Sequence, residues 1–364
     1  METFTGAAAG KLYAVPPMAA STDDLLQATA RSFYLTLRVL PGRVRTQIGL
    51  AYLLARTADT IADTEIVPVA QRLDALHRFR QRLLGDGGGP LAVGDLPQKQ
   101  GSPAEKLLLE RSEESLAALR GFSAMDQKLI QDVLDVIISG QELDLQRFTG
   151  AAADGAADGK SVVALQTAAE LDDYTYRVAG CVGEFWTRLC RAHLFPKARL
   201  DDNQLIADGI RFGQGLQLVN ILRDVPADWR QGRCYLPREK LAAAGLTPEN
   251  LWQPEQATAF LRVFRAHLDL AEAHLAAGWR YNQALPFGQF RVRLACVWPL
   301  LLGVKTVEKV RAADIAALRR RVKVSRPEVY ALLARSTLAC PIPFLWRQLY
   351  HPGAKAVASA ADFA

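Results

Sequence analysis

Apolar residues recur along most of this chain at the three- and four-residue spacing of one helical face. Strict alternation of apolar and polar residues, which is typical of strands, is nearly absent. The pattern predicts an all-α protein with helices at 22–39, 43–63, 68–85, 104–120, 124–147, 166–191, 203–223, 256–282, 289–311 and 326–348.

The helical pattern shows no internal domain boundary. We therefore expect an N-terminal extension at 1–20, one helical domain at 21–348 and a C-terminal tail at 349–364. Two glycine-rich stretches, GDGGGPLAVGDLPQKQGSP at 85–103 and TGAAADGAADGKS at 149–161, predict long loops. The second is either a lid over a site on the preceding helix or an ordinary surface loop.

Composition places the chain among globular proteins, since half of its 364 residues are hydrophobic and 23% are charged. Its formal net charge of +6 suits anionic small molecules, a membrane surface or nucleic acid. The basic residues are spread along the chain and form no nucleic-acid-binding arm, so we expect no nucleic-acid partner. The five cysteines lack C-x-x-C spacing, which predicts a reducing cytoplasm and no structural zinc site.

No continuous apolar stretch is long enough for a signal peptide or a membrane span, which predicts a soluble cytoplasmic protein. Two short segments are candidates for peripheral contact with the inner face of a membrane: LACVWPLLLG at 294–303 and CPIPFLW at 340–346. No pattern in the chain predicts its oligomeric state.

Two segments carry a narrow polar stripe across an otherwise apolar helix. In AYLLARTADTIAD, the stripe has offsets 0, 4, 7 and 11 and consists of Tyr52, Arg56, Asp59 and Asp63. In LQLVNILRDVPADW, it has offsets 0, 3, 7 and 11 and consists of Gln217, Asn220, Asp224 and Asp228. Two such stripes are able to face each other across a cavity.

Carboxylates one turn apart in a low-dielectric setting require a compensating cation, and hard oxygen ligands favour Mg²⁺. Because Mg²⁺ completes its octahedron with water and phosphate oxygens, the arrangement implies a diphosphate ligand. A single D-x-x-x-D is usually a solvated helix face, but two in matching apolar settings favour a site. The neighbouring arginines either donate to phosphate or belong to ion-pair networks: Arg56, Arg223, Arg230 and Arg233.

A third segment, ELDDYTYRVAGCVGEFWTRLC, combines small residues with an apolar stripe. The stripe consists of Tyr174, Val178, Cys181 and Phe185. Glycine in a helix interior costs about 1 kcal/mol relative to alanine, so Gly180 and Gly183 indicate close approach by another helix or a ligand. The stripe is either the wall of an apolar channel with one phenol or ordinary core packing. On an earlier helix, Gln141 and Asp144 add polar groups to one face.

Four segments together resemble the successive signatures of the squalene/phytoene synthase family: ARSFYLTLRVLP, AYLLARTADTIAD, YTYRVAGCVG and LQLVNILRDVPADWRQGRCYLP. They occur in the family's order, within about residues 25–345. The resemblance implies a single-domain isoprenoid synthase bundle, whose central cavity carries two facing aspartate-rich helices at its mouth. The implied substrates are two prenyl diphosphates, bound through Mg²⁺ with their tails in the apolar channel.

The resemblance also implies roles for individual positions. The implied metal ligands are Asp59, Asp63, Asn220, Asp224 and Asp228. The implied diphosphate contacts are Arg31, Ser32, Arg56, Gln217, Asn220, Arg223, Arg233 and Tyr235. Tyr174 matches the tyrosine that handles a proton during cyclopropane formation, and it joins the four aspartates as an implied catalytic residue. Lys323 and Arg326 resemble a basic segment linked to NADPH.

The second aspartate motif departs from the family pattern at two positions. Ala227 stands where a further acidic residue is common. Pro226 removes a backbone donor, which predicts an end or a kink of the helix between Asp224 and Asp228.

The segments LLARTADTIADTE and SGQELDLQRF most closely resemble the squalene-forming branch of the family. This branch condenses two farnesyl diphosphates to presqualene diphosphate and reduces it to squalene, with Mg²⁺ and NADPH. Two alternatives stay open. One is a non-reductive member that makes presqualene diphosphate, dehydrosqualene or phytoene, and the other is a non-catalytic helical protein that binds prenyl lipid.

Overall fold

The structure is a computed structural model, and it describes residues 20–30, 33–86, 91, 94–149, 162–320 and 322–350. Its α-helices are α1 (Ala20–Ala30), α2 (Phe33–Val39), α3 (Gly42–Asp63), α4 (Val69–Leu84), α5 (Pro103–Glu110), α6 (Ser112–Leu119), α7 (Ala124–Arg147), α8 (Ala168–Thr175), α9 (Cys181–His193), α10 (Asp202–Arg230), α11 (Arg238–Ala242), α12 (Ala257–Ala284), α13 (Phe290–Ala312), α14 (Ile315–Leu318), α15 (Arg326–Ala339) and α16 (Pro343–Arg347). A π-helical turn, Tyr176–Gly180, joins α8 to α9, and 3₁₀ turns occur at Pro97–Lys99, Pro248–Asn250 and Pro254–Gln256. The all-α prediction is confirmed for the described residues.

Side-chain caps fix where several helices begin. Ser123, Thr167 and Asp201 precede α7, α8 and α10, and each accepts a hydrogen bond from the backbone N–H three residues on. Ser325 and Glu328 form a capping box at the start of α15. Because a cap fixes the first residue of a helix, these local signals also help to set which side chains face the interior.

Several predicted helices are divided in the structure, each for a local reason. The helix at 104–120 breaks at Arg111, whose φ of −103° and ψ of 14° are not helical. The helix at 326–348 stops at Ala339, and Pro343 then begins the separate helix α16. The helix at 166–191 contains the π-helical turn. The helix at 22–39 corresponds to α1 and α2, with residues 31 and 32 outside the described part of the chain.

The helix α10 continues past Pro226 to Arg230, so the predicted end at residue 223 is wrong. Proline removes one backbone N–H from the helical ladder, but Val225 and Pro226 are both buried. Tertiary packing therefore holds the helix through the proline, and Asp224 and Asp228 belong to one helix.

The parallel pair of strands β1 (Val163–Ala164) and β2 (Arg233–Cys234) was not expected from an all-helical pattern. Each strand has two residues, which is too short for an alternation of apolar and polar positions to be visible in the sequence. The pair connects the segment before α8 to the segment after α10.

The long helix α10 lies at the centre of the packing, in contact with α8, α9, α12 and α13. Its contact with α9 is between backbones: a Cβ added to Gly183 would lie 1.9 Å from the carbonyl oxygen of Gly209. A Cβ added to Gly213 would lie 2.2 Å from the carbonyl oxygen of Ala179. The close helix approach predicted from the glycines is confirmed.

Within the described ranges, no helix combines the length and apolar character needed to cross a membrane. LACVWPLLLG lies in α13, where Leu294, Val297 and Leu300 are buried, and its contact with a membrane stays a prediction. Of the two predicted loops, 85–103 is described only in part, and 149–161 lies outside the described residues except for its first residue.

Candidate active site

An apolar cavity of about 270 Å³ lies among the central helices. Its lining residues are Thr36, Ile48, Ala51, Tyr52, Ala55, Val133, Leu134, Ile137, Val178, Ala179, Val182, Gly183, Phe185, Trp186, Gly209, Phe212, Gly213, Leu216, Tyr281, Ala295, Cys296 and Pro299. The hydroxyl of Tyr52 donates to the carbonyl oxygen of Thr29 at 3.2 Å, and the hydroxyl of Tyr281 accepts from Thr187 at 3.1 Å. The wall is therefore almost entirely hydrocarbon, which suits an isoprenoid tail.

Three of the lining helices carry polar residues on the same face, just beyond the apolar wall. These residues are Asp59 and Asp63 on α3, Gln141 and Asp144 on α7, and Asn220, Asp224 and Asp228 on α10. We call this set of polar residues the acidic end and include in it Tyr174 and Tyr235, which contact it as described below.

Asp59 links α3 to α7 at the acidic end. Its Oδ1 accepts a hydrogen bond from Gln141 Nε2 at 2.5 Å, and Arg56 lies 3.6 Å from its Oδ2. Burial and the negative charge of Asp63 raise the pKa of Asp59 to about 6. Because 49% of this side chain is nevertheless exposed, the carboxylate is accessible to a ligand. Asp63 lies one turn on, and partial removal from water raises its pKa as well.

The two carboxylates of the second aspartate pair have different surroundings. Arg223 holds Asp224 with two guanidinium nitrogens, at 2.5 Å and 3.1 Å. Among the described residues, no arginine holds Asp228 in this way, and burial together with the charges of Asp224 and Asp144 raises its pKa to about 7, against the opposing effect of Arg233. In the part of the chain that the structure describes, the acidic end therefore holds more negative charge than its arginines compensate.

Two tyrosines close the acidic end on the side of the strand pair. Tyr235 follows β2, donates to Asp144 Oδ2 at 2.9 Å and stacks on Tyr174 with ring centroids 4.8 Å apart. Burial raises the pKa of Tyr174, and the charges of Asp144, Asp228 and Asp59 raise it further. The charges of one aspartate from each pair thus act on a single phenol, and its raised pKa keeps that phenol neutral at physiological pH.

The strand pair also positions Arg233, whose partner in the register is Val163. The Arg233 side chain lies 3.3 Å from Glu65, just beyond the end of α3, and its positive charge opposes the raised pKa of Asp63. A basic group from the second motif thus reaches the first aspartate pair.

The structure brings together most of the predicted site residues but not all of them. Gln217 is half-buried and Asn220 is exposed, on the α10 face that continues to Asp224. Arg31 and Ser32 lie outside the described residues. Lys323 and Arg326 are exposed. Shortly before them in the sequence, the carbonyl oxygen of Arg319 accepts a hydrogen bond from Arg230 at the C-terminal end of α10, at 3.0 Å.

No role was predicted from the sequence for Gln141 and Asp144, although they lie at the acidic end. A signal was present, because both continue the apolar stripe of α7 that lines the cavity. Glu105 and Glu65 were missed altogether. Glu105 holds Arg56 at 2.6 Å and Glu65 pairs with Arg233, contacts that cross between distant segments and leave no local pattern in the sequence.

The donors at the acidic end fit Mg²⁺ with a diphosphate. Burial of Asp144 raises its pKa to about 6, and two buried acceptor atoms, Asp144 Oδ1 and Gln141 Oε1, have no hydrogen-bond partner among the described residues. No group of three or more His, Cys, Asp and Glu in the described part of the chain is placed to hold a metal by itself. Mg²⁺ typically binds one or two protein carboxylates and takes its remaining ligands from water and substrate phosphate, so this arrangement suits it.

Comparisons with known proteins agree with this architecture. Residues 26–328 match the family model described as squalene/phytoene synthase. The chain is 25% identical over 312 residues to a 15-cis-phytoene synthase of Enterobacter agglomerans, covering 86% of this chain and 92% of that protein. It is 27% identical over 234 residues to a squalene synthase of Gibberella zeae, covering 64% of this chain and 46% of that protein.

Some relatives are much longer than the region they share with this chain. A bifunctional lycopene cyclase/phytoene synthase of Blakeslea trispora is 30% identical over 224 residues, which is 60% of this chain and 32% of that protein. Among solved structures, a ligand complex of TcSQS superposes with a TM-score of 0.71 at 20% identity, covering 94% of this chain and 98% of the other. This likeness shows that the two proteins share the helical fold.

Proposed function

The chain belongs to the squalene/phytoene synthase family, and we propose that it is a squalene synthase. In the proposed reaction, two molecules of farnesyl diphosphate condense head to head to presqualene diphosphate, which is then rearranged and reduced to squalene with NADPH. Relatives include both squalene and phytoene synthases, so the family alone supports prenyl transfer between isoprenoid diphosphates and leaves the product open.

One observation carries the proposal: two aspartate pairs and a neutral phenol meet at one end of an apolar cavity. A prenyl diphosphate has the same division, with a charged head and a hydrocarbon tail. A non-catalytic lipid-binding protein has no need of undercompensated carboxylates, whose proximity destabilises the empty site. The geometry therefore supports an enzyme over a binding protein.

In the proposed first step, residues of the acidic end stabilise the diphosphate as it separates from the allylic cation. We assign Asp59 and Asp63 to one metal position, and Asp224, Asp228 and Asn220 to the other. These residues would hold Mg²⁺, which would supply positive charge to the departing diphosphate. Arg56, Arg223 and Arg233 donate to diphosphate oxygens, joined by Gln217, Arg31, Ser32 and Tyr235. The allylic cation is then attacked by the 2,3-alkene of the second farnesyl diphosphate.

Tyr174 is assigned to the proton that must leave when the cyclopropane closes. Its raised pKa keeps the phenol neutral, so its oxygen is able to accept that proton while releasing its own to a diphosphate oxygen. The apolar wall contributes by excluding water, which would otherwise capture either carbocation.

The reductive step needs a hydride, which NADPH supplies when bound. Lys323 and Arg326 fit an anionic cofactor because both side chains are exposed near the C-terminal end of α10. We therefore assign this basic segment to NADPH binding.

Product analysis tests the proposal directly. The purified protein is incubated with farnesyl diphosphate and Mg²⁺, with and without NADPH, and the extracted lipids are identified by mass spectrometry. We expect squalene only with NADPH and presqualene diphosphate in its absence. Dehydrosqualene or presqualene diphosphate as the product under both conditions, or phytoene from geranylgeranyl diphosphate, would assign the chain to a non-reductive branch.

A further inference from the structure

Large apolar side chains exposed to solvent concentrate on the surface formed by the α12–α13 turn, α15 and α16. They are Phe287, Phe290, Tyr330, Leu338, Ile342, Phe344 and Leu345, and we call this set the apolar patch. Leu338 is 74% exposed and Phe344 is 69% exposed. Single exposed apolar residues are ordinary on a protein surface, whereas a cluster of this size indicates a binding surface.

Contacts between the segments show that the patch is one surface. The guanidinium of Arg293 lies 5.3 Å from the ring centroid of Phe287 and 4.9 Å from that of Trp346 on α16. The thiol of Cys340 donates to the carbonyl oxygen of Phe290 at 4.0 Å. On α15, Tyr330 and Leu338 lie eight residues apart on one helical face, which leads to Ile342 and α16.

Exposed charged residues on the segments that carry the apolar patch are mostly basic. Residues 285–307 contain Arg291, Arg293 and Lys305 and no acidic residue, although Arg293 is buried and Lys305 pairs with Glu308 at 2.9 Å. Between 322 and 350, Arg335 and Arg347 are exposed. The only acidic residue in that range is Glu328, which forms an ion pair with Lys309 at 2.6 Å. The patch therefore presents apolar and aromatic groups within a positive field.

We propose that the apolar patch docks this protein on a lipid bilayer that contains anionic lipids. The aromatic and aliphatic side chains enter the interfacial region, while the exposed Arg335 and Arg347 contact the headgroup phosphates. Charge complementarity selects a bilayer over a second copy of this chain, because two such patches facing each other would bring their arginines together.

Docking on a bilayer deepens the proposed function and rests on it. Squalene is insoluble in water, so the product must pass from the cavity into an apolar phase. Helix α13 connects the cavity to the patch. Cys296 and Pro299 of α13 line the cavity, and Trp298 of the same helix donates to Ser336 of α15 at 3.1 Å. A hydrocarbon formed in the cavity is thus close to the docked bilayer.

Vesicle flotation of the full chain tests the docking without any substrate. We expect the protein to float with phosphatidylcholine vesicles that contain phosphatidylglycerol, to bind vesicles of phosphatidylcholine alone more weakly, and to be released by high salt. The double variant Leu338→Glu, Phe344→Glu should lower the partition coefficient by about tenfold or more. Met125→Glu introduces the same charge at a side chain 49% exposed on α7 and should leave binding unchanged.

Three outcomes would overturn the proposal: a wild-type protein that does not float with the anionic vesicles, an equal loss of binding in the Met125 variant, or full binding by the double variant. Light scattering that shows a dimer broken by the double variant, with no vesicle binding, would assign the patch to a second copy instead. Turnover in vesicle-free buffer should be equal for wild type and double variant. A wild type that binds vesicles but consumes no prenyl diphosphate refutes the proposed function and leaves the docking intact.

Discussion

At the scale of single residues, the acidic end is built from carboxylates that are placed close together and are partly removed from water. Asp59 and Asp228 have raised pKa values because burial removes water and because another carboxylate lies near each of them. The sequence allowed the four aspartates to be found, since each pair interrupts an apolar helix at one-turn spacing. Tyr235 and Glu105 gained their partners only through tertiary contacts, so no spacing predicted those contacts.

These raised pKa values predict how stability depends on pH. The unperturbed aspartate pKa is 3.8, so between about pH 4 and about pH 7 the folded protein binds more protons at Asp59 and Asp228 than the unfolded chain does. This excess proton binding stabilises the folded protein fully below the pKa of the unfolded chain. The stabilisation is lost as the pH rises through the pKa of each group in the folded protein. We expect the thermal midpoint of the metal-free protein to fall between about pH 5 and about pH 8.

Asp228→Asn should raise the thermal midpoint at about pH 8 and reduce its dependence on pH, because a neutral amide removes the repulsion. Asp74→Asn is the matched control, since Asp74 forms an exposed ion pair with Arg78 on α4. It should leave the slope unchanged. An equal slope in wild type and the Asp228 variant would show that this carboxylate titrates as it does in the unfolded chain.

At the scale of elements, the contact between α9 and α10 shapes the cavity wall. Glycines in the sequence predicted a close approach, but the π-helical turn before α9 and the passage of α10 through Pro226 depend on packing that no local signal encodes. Helix α10 carries cavity-lining residues near its middle and Asp224 and Asp228 near its end. The predicted end at residue 223 would have separated these functions.

Gly183→Ala should destabilise the protein by about 1–3 kcal/mol or more, because its Cβ would meet the carbonyl oxygen of Gly209 and force the helices apart. Gly42→Ala at the first residue of α3 is the control, since a Cβ there meets nothing within 4 Å. It should be neutral or stabilising. Urea unfolding measures both, and equal free energies of unfolding for the two variants would contradict the backbone contact.

At the scale of the whole molecule, the candidate site draws on α3, α7, α8, α10 and the strand pair, which are far apart along the chain. The residues of each aspartate stripe were predictable from their spacing, although the continuation of α10 through Pro226 was not. Their convergence on Tyr174 requires the full bundle. The expected bundle with a central cavity is confirmed, while the roles assigned to individual residues stay predictions.

Release of inorganic diphosphate from farnesyl diphosphate and Mg²⁺ shows whether the acidic end ionises a prenyl diphosphate. We predict steady release by the wild type and a rate lower by about 10²- to 10³-fold in Asp59→Asn, because a charged ligand for the departing group is lost. Asp74→Asn should release diphosphate at the wild-type rate. An undiminished rate in Asp59→Asn, or no release by the wild type from either farnesyl or geranylgeranyl diphosphate, would contradict the account.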